Sequence, residues 1–362
     1  MIYLDYQATT PLAPEALAAM LPWLSGPEAP GFANPHSPHR YGRAAAAAVE
    51  IARDQVAALL PPGGRIVFTG SATEAINLAI LGRRSRQVAV TPIEHAAVLD
   101  TAQASGATLH RLPMRPDGIV PADVAIPEGT DLVAVMQVNN EIGTIQPVDA
   151  LADAAHRAGA LFLCDAVQGA GKLPPHADAD MIALSAHKLY GPKGIGALWV
   201  RDGVELAPLI HGGGQEHGLR SGTLSPALCA GFGAAAALAA ARIDEDAAHV
   251  AVLWTRARAL LPEWTLNGSA EKRWHGNLNV RREGLDAARL ISDLRDIAFS
   301  AGSACASGSG RPSHVLRAIG LTDAQAKSSI RIGFGRYTML RDLEDACVGI
   351  AAAAAAQGVC SG

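Results

Sequence analysis

Between Arg65 and Val200 short apolar runs alternate with stretches of helical period, and few folds accept that rhythm. Arg65 to Thr69, Gln87 to Thr91, Asp131 to Val138, Leu161 to Cys164 and Met181 to Leu184 read as strands. Ser71 to Leu81, His95 to Ala104 and Val148 to Ala158 read as helices between them. Strands separated by helices of this length predict a mainly parallel sheet covered on both faces, an α/β architecture. Ahead of it, residues 1 to 13 read as an extended arm, Pro14 to Leu24 as a helix, 26 to 39 as a loop and Arg43 to Leu60 as a long helix. Beyond about Ala241 the pattern loosens and ends in a helix over Arg341 to Ala356, which predicts a second, smaller α+β domain. A chain of 362 residues is longer than one core usually supports. The expected division is a large domain over 14–243 and a small one made of 1–13 and 244–362.

The stretch from Asp178 to Val200 concentrates the chemistry. An apolar run, Met181 to Leu184, releases Ser185, His187 and Lys188 at its end. A Gly/Pro turn, Gly191 to Gly194, leads to a second apolar run, Ile195 to Val200. A lysine at a strand end beside a serine and a histidine suits an aldehyde cofactor, with the amine forming a Schiff base and the neighbours holding a phosphate. The chain has only five lysines, so this one is less easily an ordinary surface charge. Lys193 is its rival, but it sits within the turn.

Other polar groups fall at strand ends, the edge where ligands bind in such folds. Gly70-Ser71-Ala72-Thr73-Glu74 joins a strand to a helix and reads as a capping box whose free amides suit a phosphate. Asp165 ends a buried apolar run, where a carboxylate needs a partner such as a pyridinium nitrogen or an arginine. Gln168 follows within reach of a ring oxygen. His95, at a helix start, is either a cap or an acid–base group. Asn139 and Asn140 leave a strand and are candidates to orient a substrate. Arg331 is suited to a bidentate carboxylate grip or to an ion pair. Arg220 to Thr223 follow the glycines 212–214. Cys305 lies among Ser, Ala and Gly from Ser300 to Gly310, a setting that predicts exposure and reactivity. Cys164 and Cys347 read as core.

Five cysteines without C-x-x-C spacing predict neither a zinc site nor a disulfide scaffold, so no metal is expected. A net charge of −4 argues against nucleic acid as a partner. The start, MIYLDYQATT, lacks a basic signal region, and no apolar run reads as long enough for a membrane. A reducing cytoplasm is the expected setting.

Taken in order, YLDYQATTP, FANPHSPHRYG, IVFTGSATEAINLAI, EHAAVLD, VNNEIGTIQP, CDAVQGAGKLP, SAHKLYGPKGIGALWV, HGGGQEHGLRSGTL, SAGSACASGS and SSIRIGFGR resemble the cysteine desulfurases of the nitrogen-fixation and iron–sulfur-cluster type. These are class V members of the fold-type I pyridoxal-phosphate enzymes. The resemblance implies pyridoxal 5′-phosphate on Lys188, with Asp165 facing the pyridine nitrogen and Gln168 the ring hydroxyl. Ala72, Thr73, Ser185 and His187 would hold the phosphate, and Thr223 would reach that of a partner subunit, which implies a homodimer. His95 would stack on the ring as acid–base group. Asn140 would contact cofactor and substrate, and Arg331 the carboxylate of L-cysteine. Cys305 would carry the sulfur as a persulfide and pass it to an acceptor such as an iron–sulfur scaffold protein. The S-x-G-S-A-C pattern around Cys305 matches the long-loop group rather than the selenocysteine-lyase-like one. Ser71 and Gln7 depart from the family pattern without removing a cofactor contact, and the chain stops soon after Ala356. The alternatives are another class V aminotransferase, a selenocysteine lyase, or a non-catalytic relative acting as a partner in sulfur transfer.

Overall fold

The chain enters the fold through β1 (Ile2–Tyr3), then α1 (Pro14–Met20) and α2 (Arg40–Ala57) in the computed structural model, which describes residues 1–27, 30–174, 178–302 and 313–358. There follow β2 (Gly64–Thr69), α3 (Ala72–Arg83), β3 (Gln87–Val90), α4 (Ala96–Ala104), β4 (Thr108–Arg111) and β5 (Leu132–Met136). Next come α5 (Val148–Arg157), β6 (Leu161–Asp165), β7 (Met181–Ser185) and β8 (Gly196–Arg201). These strands form a seven-stranded sheet in the order β2-β8-β7-β6-β5-β3-β4. Only β8 runs against its neighbours, β2 and β7.

The uninterrupted apolar runs have a direct cause. Val133 and Val135, Phe162 and Cys164, and Ile182 and Leu184 feed one core with residues of α2 and α5. Leu132 and Ala134, Leu161 and Leu163, and Met181 and Ala183 feed another with residues of α3 and α4. Successive side chains point to opposite faces, so a strand buried on both sides cannot alternate with polar residues.

Because β2, β6 and β7 point the same way, their last residues lie on one edge. Gly196, at the start of β8, pairs there with both Thr69 and Ser185. A Cβ on Gly196 would lie 2.5 Å from the Ser71 carbonyl carbon and 2.7 Å from Ala72 N. Glycine is what lets the start of α3 sit directly against the sheet edge.

The second region begins within α6 (Pro226–Leu260). It continues with β9 (Thr265–Leu266), β10 (Asn277–Arg281), α7 (Ala287–Asp293), β11 (Ile297–Ala298) and β12 (Ser300–Ala301). It ends with α8 (His314–Ala318), α9 (Asp323–Lys327), β13 (Ser329–Gly333) and α10 (Leu340–Ala356). Strands β12-β13-β10-β9 form an antiparallel sheet, and β1 pairs in parallel with β11. A separate cluster around Leu278, Val280, Ile330, Ile332 and Leu343 is its core. On these clusters we propose the two-domain division at 243/244, a boundary that falls inside α6. That helix gives Phe232 and Ala235 to the first core and Val250, Leu253 and Ala257 to the second.

Several local expectations are corrected. Helix α1 stops at Met20 and passes into a 3₁₀ turn, Leu21–Trp23, because Pro22 has no N–H to continue the ladder. Helix α2 starts three residues before the expected Arg43, capped by His39 Nδ1, which accepts from Gly42 N at 3.1 Å. Strand β4 has no counterpart in the sequence reading; it is an edge strand with Thr108 and Arg111 exposed. The expected absence of a membrane-length run also fails, since α6 is long and apolar enough by length and composition. Its Ala- and Gly-rich face packs instead against α1 and α2.

Candidate active site

The shared strand edge opens into a cavity of about 380 Å³. Ala72 and Thr73 reach it from the start of α3, Asp165 and Gln168 from the end of β6, and Ser185, His187 and Lys188 from the end of β7. His95, Asn140 and Arg331 complete the wall with Gln7 and Ala8 of the amino-terminal arm. Thr223 is exposed and does not line the cavity. Cys305 lies outside the described residues, as does Cys360.

Lys188 Nζ donates to the carbonyl oxygens of Gln7 and Ala8, the latter at 2.8 Å. Those two dipoles hold the amine at the wall of the cavity, whereas Lys193 is exposed elsewhere. Gln168 Nε2 donates to Gln7 O at 3.0 Å, and its Oε1 is buried without a partner among the described residues. His187 Nδ1 lies 3.1 Å from Thr9 Oγ1. Burial, with Lys188, Lys193 and Lys172 nearby, pushes His187 down to about 4, so it offers a hydrogen bond rather than a charge at neutral pH. Thr9 in the arm therefore meets a neutral ring, while Thr10 donates from Oγ1 and N to the His187 carbonyl, each at 2.9 Å.

Helix α3 is capped by Ser71, whose Oγ accepts from Glu74 N at 3.3 Å. The expected capping box is only half made. Glu74 Oε2 takes the N–H of Gly70 at 2.7 Å rather than that of Ser71, and Glu74 Oε1 pairs with Arg220 Nε at 2.7 Å. Gly70 and Arg220 thus occupy the Glu74 carboxylate, and the first-turn residues Ala72 and Thr73 line the cavity.

Asp165 is buried, and its Oδ1 accepts from Val167 N at 3.0 Å. Burial raises its pKa, with His95 and Lys188 acting against the rise. His95 caps α4, its Nδ1 accepting from Ala97 N at 3.0 Å. A neutral imidazole there carries its proton on Nε2. Asn139 and Asn140 part company. Asn139 is wholly buried, bonding Ile93 O through Nδ2 and the N–H groups of Glu141 and Ile142 through Oδ1, so it braces the site rather than lining it.

Three groups escaped the sequence reading. Asp5 forms an ion pair with Arg331 at 2.7 Å, so the arginine has the carboxylate neighbour that was its alternative reading. Glu141 is pushed up to about 7 by burial and accepts from Ser313 Oγ. Glu94, beside His95, is wholly buried and pushed up to about 8, chiefly by burial. Its Oε1 accepts from Thr91 Oγ1 at 2.7 Å and Met136 N at 3.0 Å, while Oε2 has no partner among the described residues. The only hint was a carboxylate between an apolar residue and a histidine in Ile93-Glu94-His95.

Glu94 gives a pH test. Its folded pKa of about 8 lies above the 4.5 of a free glutamate, so the folded state binds more protons between those values. The stability it contributes is full below about 4.5 and is lost as pH rises through about 8. Glu94→Gln removes that titration. Relative to the unaltered protein, the variant is expected to gain on the order of a few kcal/mol between pH 6 and pH 9. Urea unfolding of both proteins at the two pH values reads this. Parallel pH dependence would mean that Glu94 is not the group titrating in the core.

The aminotransferase class-V family model matches residues 2–345. Cysteine desulfurase IscS of Rickettsia typhi is 40% identical over 366 residues, spanning 95% of this chain and 88% of the relative. Among solved structures, a NifS-like protein superposes with a TM-score of 0.88 at 31% identity, covering 99% of each chain. SspA, solved in complex with cysteine, gives a TM-score of 0.80 at 36% identity over 94% of this chain and all of its own.

Proposed function

Because this chain belongs to the aminotransferase class-V family, and within it to the cysteine desulfurases, we propose that it converts L-cysteine to L-alanine and retains the sulfur as a persulfide on Cys305. The observation that carries the reading is one cavity walled by an amine, a buried carboxyl and a buried guanidinium: Lys188, Asp165 and Arg331.

The family implies pyridoxal 5′-phosphate, and the residues present fit it. Gln168 Oε1, buried and without a partner among the described residues, marks a polar position for a ring substituent, and the first turn of α3 offers amides for a phosphate. Asp165 would face the ring nitrogen and Gln168 the ring hydroxyl, with Asn140 alongside. Ala72, Thr73, Ser185 and His187 would hold the phosphate, joined in a homodimer by Thr223 from the other protomer. When bound, the cofactor supplies an electron sink conjugated to the substrate's α-carbon.

The protein's own groups divide the remaining work. Asp165 would pair as a carboxylate with a cationic ring nitrogen of the bound cofactor and hold the proton there. Its burial makes that pairing strong, because an isolated carboxylate in this place is disfavoured. Lys188 takes the substrate's α-proton, and the carbonyls of Gln7 and Ala8 hold its amine within reach. His95, with its proton on Nε2, donates at the reacting end of the substrate. Arg331 binds the carboxylate and fixes which bonds of the α-carbon face Lys188. The Cys305 thiolate attacks the substrate sulfur. An S–S bond forms, the Cβ–S bond breaks with its electron pair left on carbon, and a proton completes the methyl group of alanine. The acceptor that next takes the sulfur, an iron–sulfur scaffold protein or another thio-cofactor carrier, lies downstream of this step.

Incubating the cofactor-loaded protein with L-cysteine and a thiol reductant is expected to release alanine and sulfide in equal amounts. A keto acid formed in place of alanine would overturn the proposal and favour an aminotransferase.

A further inference from the structure

Arg331 is wholly buried, so the disposition of its donors decides what else it can bind. Nη1 donates to Asn140 O at 3.0 Å. Nη2 donates to Asp5 Oδ1 at 2.7 Å and more weakly to Ser300 Oγ at 3.4 Å, and Ser300 Oγ donates to the same carboxylate oxygen at 2.8 Å. Nε is buried and has no partner among the described residues. Nε and Nη2 are the side-on fork with which a guanidinium grips a carboxylate through two parallel bonds. One tine of that fork is open and the other is engaged by a carboxylate of the protein itself.

Asp5 is well placed to keep that hold. Its backbone bridges to Gly333, two residues beyond Arg331 on the same strand, and the Tyr3 hydroxyl donates to its carbonyl at 3.1 Å. Its side chain is 20% exposed, against none for Arg331, so it has room to turn away while the arginine does not. Glu141 is a second carboxyl close enough to Arg331 to feel its charge.

We propose that Asp5 is a positioning residue that competes with the carboxylate of the amino-acid ligand for Arg331, holding the guanidinium in place and favouring the departure of L-alanine. The proposal rests on the reading of Arg331 as the carboxylate-binding group. Two carboxylates on one buried guanidinium leave an excess negative charge in a site of low dielectric, where like-charge proximity is costly. A ligand entering beside Asp5 therefore binds more weakly than the fork alone would allow. In a protein without Asp5 the arginine is left as an underpaired buried charge, which lowers stability until a ligand neutralises it.

L-alanine titrated into the cofactor-loaded protein, read by the cofactor's absorbance and by thermal unfolding, tests this. Asp5→Asn keeps the shape and removes the charge. It is expected to bind L-alanine about tenfold more tightly, to unfold at a lower temperature alone, and to show a larger rise in Tm with saturating L-alanine. Its KM for L-cysteine should fall in parallel. Ser300→Ala, which removes a hydroxyl shared by Asp5 and Arg331 and leaves Asp5 itself in place, should shift binding the same way by less, and it carries the test should Asp5→Asn not fold. Arg331→Gln should lose L-alanine binding. If Arg331→Gln loses binding while Asp5→Asn binds no more tightly than the unaltered protein, competition by Asp5 is refuted and the role of Arg331 stands. If Arg331→Gln binds L-alanine normally, the carboxylate role of Arg331 falls, and the proposal with it.

Discussion

Lys188→Ala is expected to lower alanine formation from L-cysteine by about a thousandfold or more. The substitution removes both the amine that tethers the cofactor and the base proposed for the α-proton. The cradle of α3 amides, Ser185 and His187 remains, so the variant should still bind pyridoxal phosphate, but without the covalent link. Borohydride reduction followed by dialysis and mass spectrometry separates the two properties. The unaltered protein should keep the cofactor on Lys188, and the variant should lose it. The competing lysine, Lys193, is exposed and does not line the cavity. Cofactor fixed to Lys193 in the variant, with turnover retained, would refute the assignment.

Cys305→Ala is expected to abolish persulfide formation and to reduce alanine release by at least about a thousandfold. Cofactor binding should persist, since none of the described residues lining the cavity is altered. The other described thiols sit where a thiolate is disfavoured. Cys164, Cys229 and Cys347 are buried. Burial pushes Cys229 and Cys347 up to about 12 and Cys164 well above the ordinary thiol range, so none supplies thiolate at neutral pH. Mass spectrometry after incubation with L-cysteine should place the added sulfur on Cys305. Sulfur found on Cys360 or Cys229, or alanine production undiminished in the variant, would remove Cys305 from the mechanism.

The large sheet was legible because its central strands β5, β6 and β7 are buried on both faces and so are largely apolar, and because Ser and Asp mark where β6 and β7 end. Lys188, Asp165, Gln168 and His187 could be picked out for the same reason: each follows an apolar run on the ligand-bearing edge. Strand β4 was not, because it is short, sits at the sheet's margin and exposes half its side chains. The arm was the larger omission. Its part depends on the carbonyl oxygens of Gln7 and Ala8, which no side-chain pattern announces, and on Asp5 meeting Arg331 across 326 residues of sequence. The reciprocal half of the capping box at Ser71 was misread because Arg220, remote in sequence, claims Glu74. Local patterns fix helix and strand well, but they cannot weigh a distant competitor for the same side chain.

Helix α6 has a mechanical consequence. A single helix of 35 residues, about 50 Å long, is embedded at one end in the core under the large sheet and at the other in the core of the antiparallel sheet. It acts as a shared beam. Shearing the two cores past one another must bend it or break its ladder of hydrogen bonds, so a wide swing about that connection is disfavoured. Melting either core strips packing from a rod that the other needs, which ties the two into one cooperative unit. A protein dissected at 243/244 would be cut through this rod rather than through a linker, and neither fragment would keep a complete buried face.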